Sequence, residues 1–368
     1  MSKRFRTRLL WLLVPVSAVV LALGVSSLVL IAIGENPISA FRSMFRYGSQ
    51  QNSLVSTVNR AVPLYVAGLA VAIGFKMNLF NIGVEGQYRL AALLSAAAGA
   101  AVALPAPLHV AFIMLVAMAV GAGWAGIAGV LKVKRGVHEV VSTIMLNSIA
   151  TGLGAYLLAN YLKKPLGPNE LIIQTRQIPA SGQLPSLAVI GGENLRSFVL
   201  IAIVLGVLVY VLIWRTRFGY DLRASGINPD AARASGADPN RMILTTMLIS
   251  GAIAGLIGMG DLFGFFHAYT LDFPVGLGFD GIAVALVGLN HPVGIAIAAM
   301  VFSWVDRAAQ ILDLEGVPKE VIIITKGVII LSVVIAYEVV RRLVQAQEVK
   351  TAAEETRRLE EREEAAAA

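Results

Sequence analysis

The polar residues of this chain that could act on a solute stand among apolar ones. Asn78, Asn81, Glu85 and Gln87 interrupt an otherwise hydrophobic stretch, and Asn147, Asp280 and Asn290 are isolated in the same way. Carboxamides and lone carboxylates in such surroundings can do two things. They can hydrogen-bond a neutral solute rich in donors and acceptors, or they can satisfy backbone groups freed where a helix breaks. An ionised carboxylate at membrane depth costs roughly 2.5–3.5 kcal/mol, so Glu85 must face protein or water. Backbone satisfaction is the simpler role for Asn81, Glu85 and Gln87, and Asn147 and Asp280 stand on the same footing. In that role Glu85→Gln is expected to retain most function. As a substrate pathway, these five would suit a neutral polar solute.

Motifs for covalent or hydrolytic chemistry are missing. The sequence has no Gly-x4-Gly-Lys-Ser/Thr phosphate loop, no His-Glu-x-x-His and no Gly-x-Ser-x-Gly. His109, His138, His267 and His291 lack metal-ligand spacing. The absence of cysteine excludes disulfides, thiolate ligands and Cys nucleophiles. The chain therefore does not read as an enzyme, and no cofactor or metal is expected on it.

A second group of residues is shaped for contact. In the segment 215–241, Asn228-Pro229-Asp230 places a capping side chain ahead of a proline at the first helical position. Ala231, Ala232 and Ala234 continue a small-faced helix that Gly236 ends. Such a helix could plug a groove on another protein. If the loop faces solvent, Ala232→Glu is expected to leave folding intact.

The elements that hold these residues follow from composition. Apolar residues make up 57% of the 368 and charged residues 14%, against about 45–50% and about 25% in soluble domains. That excess belongs against lipid, which makes this an all-α polytopic membrane protein. Ten apolar runs fall at 9–33, 61–75, 79–104, 108–131, 140–162, 197–214, 242–260, 279–289, 293–312 and 321–340. Lys3, Arg4, Arg6 and Arg8 place the N-terminus (1–8) in the cytoplasm, and an even span count returns the tail (341–368) there. Lys132, Lys134, Arg135, Arg215, Arg217, Arg223, Arg233 and Arg241 then fall in cytoplasmic loops, so the net charge of +7 reflects topology rather than nucleic-acid binding.

Runs 61–75 and 279–289 are too short to cross a hydrocarbon core of about 30 Å. Short segments in both halves imply broken helices around a central pathway and an inverted repeat. Residues 39–47 are expected as a surface helix and 163–196 as an external loop. Gly251 and Gly255 would let two helices of the chain pack closely. Asp306 is expected to pair with Lys326, leaving Arg307 to snorkel outward.

The pattern Gly226, Asn228, Pro229, Ala231, Ala232, Gly236, with Arg233 inside it, resembles the coupling segment of ABC-importer permeases of the branched-chain amino acid, ribose and nucleoside superfamily. Asn81-Ile-Gly-Val-Glu-Gly-Gln87 resembles that group's first-half motif, and the stretch from Gly278 to Pro292 its second-half motif. Val137 to Asn147 is similar to the corresponding stretch of purine-nucleoside importer permeases. Two departures are Asn78, where many relatives carry Gly, and Leu289, where many carry Arg. The resemblance implies a transport subunit in a bacterial cytoplasmic membrane. It also implies a cytoplasmic ATPase that binds the ATP, a second permease subunit and an extracellular substrate-binding lipoprotein. Nucleosides are the implied cargo, with simple sugars the alternative. An ion-coupled secondary transporter is the competing reading from another class.

Overall fold

The computed structural model describes residues 23–165 and 172–317, with scattered positions at 20 and between 323 and 346. The chain forms two units, one of residues 1–46 with 309–368 and one of residues 47–308.

In the first unit, α1 (Leu23–Ala32) and α2 (Pro37–Gly48) meet at a bend of 119°. Asn36 starts α2 by accepting the Ile38 N–H at 3.0 Å, with Pro37 at the first helical position. Ile38 and Phe45 leave its apolar side exposed, as expected of a surface helix over 39–47.

The second unit is built on α3 (Gln51–Lys76), which corrects the expectation of a short helix at 61–75. Its 26 residues span about 39 Å, enough to cross. The reason is that Ser53, Thr57 and Asn59 continue the helix and are buried against the protein, and Thr57 Oγ1 donates to the Ser53 carbonyl at 2.8 Å. After it come α4 (Val84–Ala101), α5 (Ala106–Arg135) and α6 (Glu139–Leu157), which ends in a π-turn at Leu158–Leu162. Strands β1 (Ser186–Ile190) and β2 (Glu193–Arg196) then form a hairpin within the expected loop. Its turn is Gly191-Gly192, with φ of 62° and 83°, values that glycine adopts freely. The chain continues through α7 (Phe198–Arg215), α8 (Arg217–Ile227), α9 (Pro229–Ala234), α10 (Pro239–Gly255), α11 (Met259–Asp261), a π-turn at Leu262–Phe266, α12 (Leu277–Val287) and α13 (Pro292–Leu314).

Among the described residues six helical stretches are long and apolar enough to cross a membrane, or seven if α1 and α2 form one span. The count falls below ten partly because run 321–340 lies largely outside the described residues. The second short run holds as read: α12 has 11 residues, about 16 Å.

Glycines set the closest crossings. A side chain at Gly121 would collide with the Gly251 carbonyl, and one at Gly255 with the Ala117 carbonyl. The Gly251 and Gly255 face thus packs α10 on α5 within the chain, as its spacing suggested. Gly251→Val should lower the thermal midpoint of the detergent-solubilised protein by the equivalent of about 1–3 kcal/mol, the usual cost of overpacking. Gly123→Val, which meets nothing within 4 Å, should leave it almost unchanged.

Candidate functional site

The chain leaves α3 through a turn in which Asn78 adopts φ 57°, a left-handed conformation that asparagine tolerates better than most residues. The turn then climbs back along α3. Asn81 and Gln87 exchange two hydrogen bonds, at 3.0 and 2.8 Å, and Asn81 also donates to Ser250 Oγ at 2.9 Å. Ser250 Oγ in turn donates to the Ala70 carbonyl at 2.7 Å. Asn147 of α6 accepts from the Gly86 N–H at 2.8 Å and donates to the Ile82 carbonyl at 2.9 Å. From the N-terminal end of α6, buried Glu139 accepts from Lys132 at 2.5 Å and from the Phe80 N–H at 3.3 Å.

Glu85 completes this polar core. Its two oxygens accept separately from the Gly276 and Gly278 N–H groups, each at 2.9 Å. These are donors at the start of α12, so the carboxylate caps a half-length helix and meets its positive dipole end. A side chain at Gly278 would strike the Glu85 backbone, which brings the two sequence motifs into direct contact. Asn81, Glu85, Gln87 and Asn147 are all buried and each is bonded to protein.

Asp280 is separate from that core. It lines a cavity of about 370 Å³ with Asn59, Arg60, Arg196, Asp261, Phe265, Phe266, Leu277, Asp306 and Arg307 among its other walls. Asp261 is ion-paired to Arg196, whose guanidinium lies 5.0 Å from the Phe265 ring centre. The Arg196 backbone N–H donates to Asn59 Oδ1 at 3.0 Å, and Asn59 Nδ2 donates to the Asn194 carbonyl at 2.8 Å. Three arginines face four carboxylates around this space, since Glu193 also contributes. A nearly neutral wall with exposed aromatic faces suits a neutral polar ring system. Leu277 faces the cavity while its neighbours Gly276 and Gly278 are held by Glu85, so the carboxylate positions the cavity wall from behind. Arg307, expected to snorkel outward, lines the cavity and sits 4.9 Å from the Tyr47 ring. Lys326, the expected partner of Asp306, lies outside the described residues.

The contact-shaped segment forms as read locally. Asn228 Oδ1 accepts from Asp230 N–H at 3.0 Å and Ala231 N–H at 3.1 Å, Pro229 opens α9, and Gly236 turns the chain with φ 92°. Its surface needs correction. Ala232 is 2% exposed, because α9 folds back on the protein, so Ala232→Glu would damage folding. Gly226 is pressed on the end of α3, where a side chain would meet Lys76 and Met77. The outward groups are Pro229, Ala231, Arg233 and Gly236, with Arg233 bonded to Asp230 at 3.0 Å, and Ile227 is 87% exposed at the tip.

Residues 53–339 match the family described as branched-chain amino acid transport system / permease component. The chain belongs to that family. A guanosine ABC transporter permease protein of Bacillus subtilis is 35% identical over 336 residues, covering 90% of this chain and 95% of the relative. A glucose ABC transporter permease protein of Haloferax volcanii is 33% identical, covering 87% and 86%. A nucleoside ABC transporter permease protein of Lactococcus lactis is 30% identical, covering 92% and 94%. The protein is thus a multi-pass permease component and not a catalytic subunit.

Sequence reading of the permease missed most of its cavity. Asp261 carried the available signal, a lone carboxylate after an apolar run, and such a charge demands a partner. Arg196, 65 residues earlier at the end of a loop, could be matched to it only in three dimensions. The two-oxygen geometry at Glu85 also revises the expectation for glutamine. An amide offers one acceptor, and its NH2 would oppose a glycine N–H. Glu85→Gln should therefore destabilise the permease by about 1–3 kcal/mol, the cost of a buried unsatisfied donor. Thermal unfolding in detergent tests this, and a wild-type midpoint would refute it.

Proposed function

We propose that this permease moves nucleosides inward across the cytoplasmic membrane as part of an ATP-driven importer. The observation that carries the reading is the cavity of Asn59, Arg60, Arg196, Asp261, Phe265, Phe266 and Asp280. Its donors and acceptors suit ribose hydroxyls and base edges, and its aromatic rings offer stacking faces to a purine. The guanosine and nucleoside transport of two relatives supports the same cargo. The glucose permease among the relatives keeps simple sugars as the second reading. Asn81, Glu85, Gln87 and Asn147 serve this pathway by fixing its wall, and Asp280 faces it.

In this reading ATP is bound and hydrolysed on a cytoplasmic ATPase that docks on α9 and the tip at Ile227. A second permease subunit completes the pathway, and an extracellular lipoprotein delivers the solute. Both termini lie in the cytoplasm, with about ten spans in two inversely related halves.

Uptake of labelled guanosine and of labelled glucose, measured in cells carrying the full set of subunits, separates the two cargoes. Guanosine uptake is expected, and Asp261→Asn should lower it at least tenfold per unit of permease in the membrane. Glucose uptake without guanosine uptake would replace the reading with its alternative. For the docking surface, exposed Ala231→Glu should lower uptake and permease-stimulated ATP hydrolysis together while abundance holds. Buried Ala232→Glu should lower abundance itself. Normal ATP hydrolysis in Ala231→Glu would move the docking surface elsewhere.

A further inference from the structure

A second cavity, of about 680 Å³, has the opposite character. It is an apolar groove between α3, α7 and α13, lined by Val58, Val62, Ala202, Val207, Ala296 and Met300 among others. One end meets an aromatic cluster. Tyr210 and His291 line it with ring centres 5.7 Å apart, and Trp214 stacks on Tyr210 at 5.4 Å and lies 5.2 Å from His291. Beyond the cluster, Lys76 Nζ lies 5.3 Å from the Trp214 ring centre. Arg223 of α8 donates to the carbonyl of Ile213, the residue before Trp214, and Gly226 of the same helix abuts the Lys76 backbone, so the two cations are neighbours. Both cations are half-buried, and among the described residues neither forms an ion pair with a carboxylate. Two like charges half-withdrawn from water without a counter-ion raise each other's energy, and an anion between them would relieve both.

An apolar trough, then a Tyr-Trp-His girdle, then two cations reproduces in order the layers of a phospholipid: acyl chain, interface and phosphate. We propose that this is a binding site for one anionic phospholipid, its acyl chain in the groove and its phosphate between Lys76 and Arg223. The headgroup would tie α8, in the coupling segment, to the end of α3.

The test uses the full-length chain in phosphatidylcholine nanodiscs doped with phosphatidylglycerol bearing brominated acyl chains, which quench nearby tryptophans. A Trp214→Phe variant isolates the Trp214 contribution. Brominated phosphatidylglycerol should quench Trp214 well beyond brominated phosphatidylcholine at the same mole fraction. Lys76→Gln with Arg223→Gln should cut that preference about 30-fold, or about 2 kcal/mol, at about 1 kcal/mol per cation. Ala296→Phe, which fills the groove and spares both cations, should also abolish it. Equal quenching by the two lipids in the wild-type protein would overturn the proposal, and that arm needs no variant to fold. So would competition by millimolar inorganic phosphate, which would mark a free-anion site. Loss of quenching when the second permease is added would assign the groove to a protein contact instead and equally overturn it.

Discussion

The bond on which the rest of the structure depends is the one between Glu85 and the first amides of α12. A helix of 11 residues whose first turn packs on the backbone of α4 leaves initial N–H groups that have no partner within the helix and are crowded by protein. Each such group is costly in hydrocarbon. Glu85 removes two at once, and the partial positive charge of the helix end lowers the cost of burying the carboxylate. Neither partner would be stable there alone. This mutual need lets α12 be short and start at the cavity wall, which its Leu277 and Asp280 line.

The same bond lies in the middle of a continuous series of contacts. Gly226 of α8 rests on Lys76 and Met77, the turn after α3 holds Asn81, and Asn81 engages Gln87 and Ser250. Two residues before Gln87 in α4, Glu85 grips α12, and Leu277 of α12 faces the cavity. Glycines at Gly226 and Gly278 make two of these contacts backbone-close. Close-packed interfaces of this kind resist small continuous deformation, so a shift of α8 has few ways to be absorbed before it reaches the cavity wall.

Much of the helical framework was legible because apolar runs in a membrane protein have little else to form. The cap at Asn228, the packing face at Gly251 and the shortness of α12 were likewise local facts. The length of α3 was not, because Ser53, Thr57 and Asn59 look like loop residues until their burial is known. The inward face of α9 was hidden for a similar reason: six residues of alanine and polar groups do not reveal which side meets protein. The cavity was least legible, since Asn59, Arg196 and Asp261 come from three distant segments and meet only after folding. The hairpin that delivers Arg196 announced itself only through the pair Gly191-Gly192.

The near balance of charge around the cavity also bears on direction. A wall in which three arginines meet four carboxylates has no surplus cation for an anionic guest. A phosphate ester carries about −1.5 to −2 charges at neutral pH, and burying such a group without a counter-charge is prohibitive. A solute that crossed as a neutral molecule would be refused by the same wall once phosphorylated inside. Retention would then be built into the lining and would need no valve.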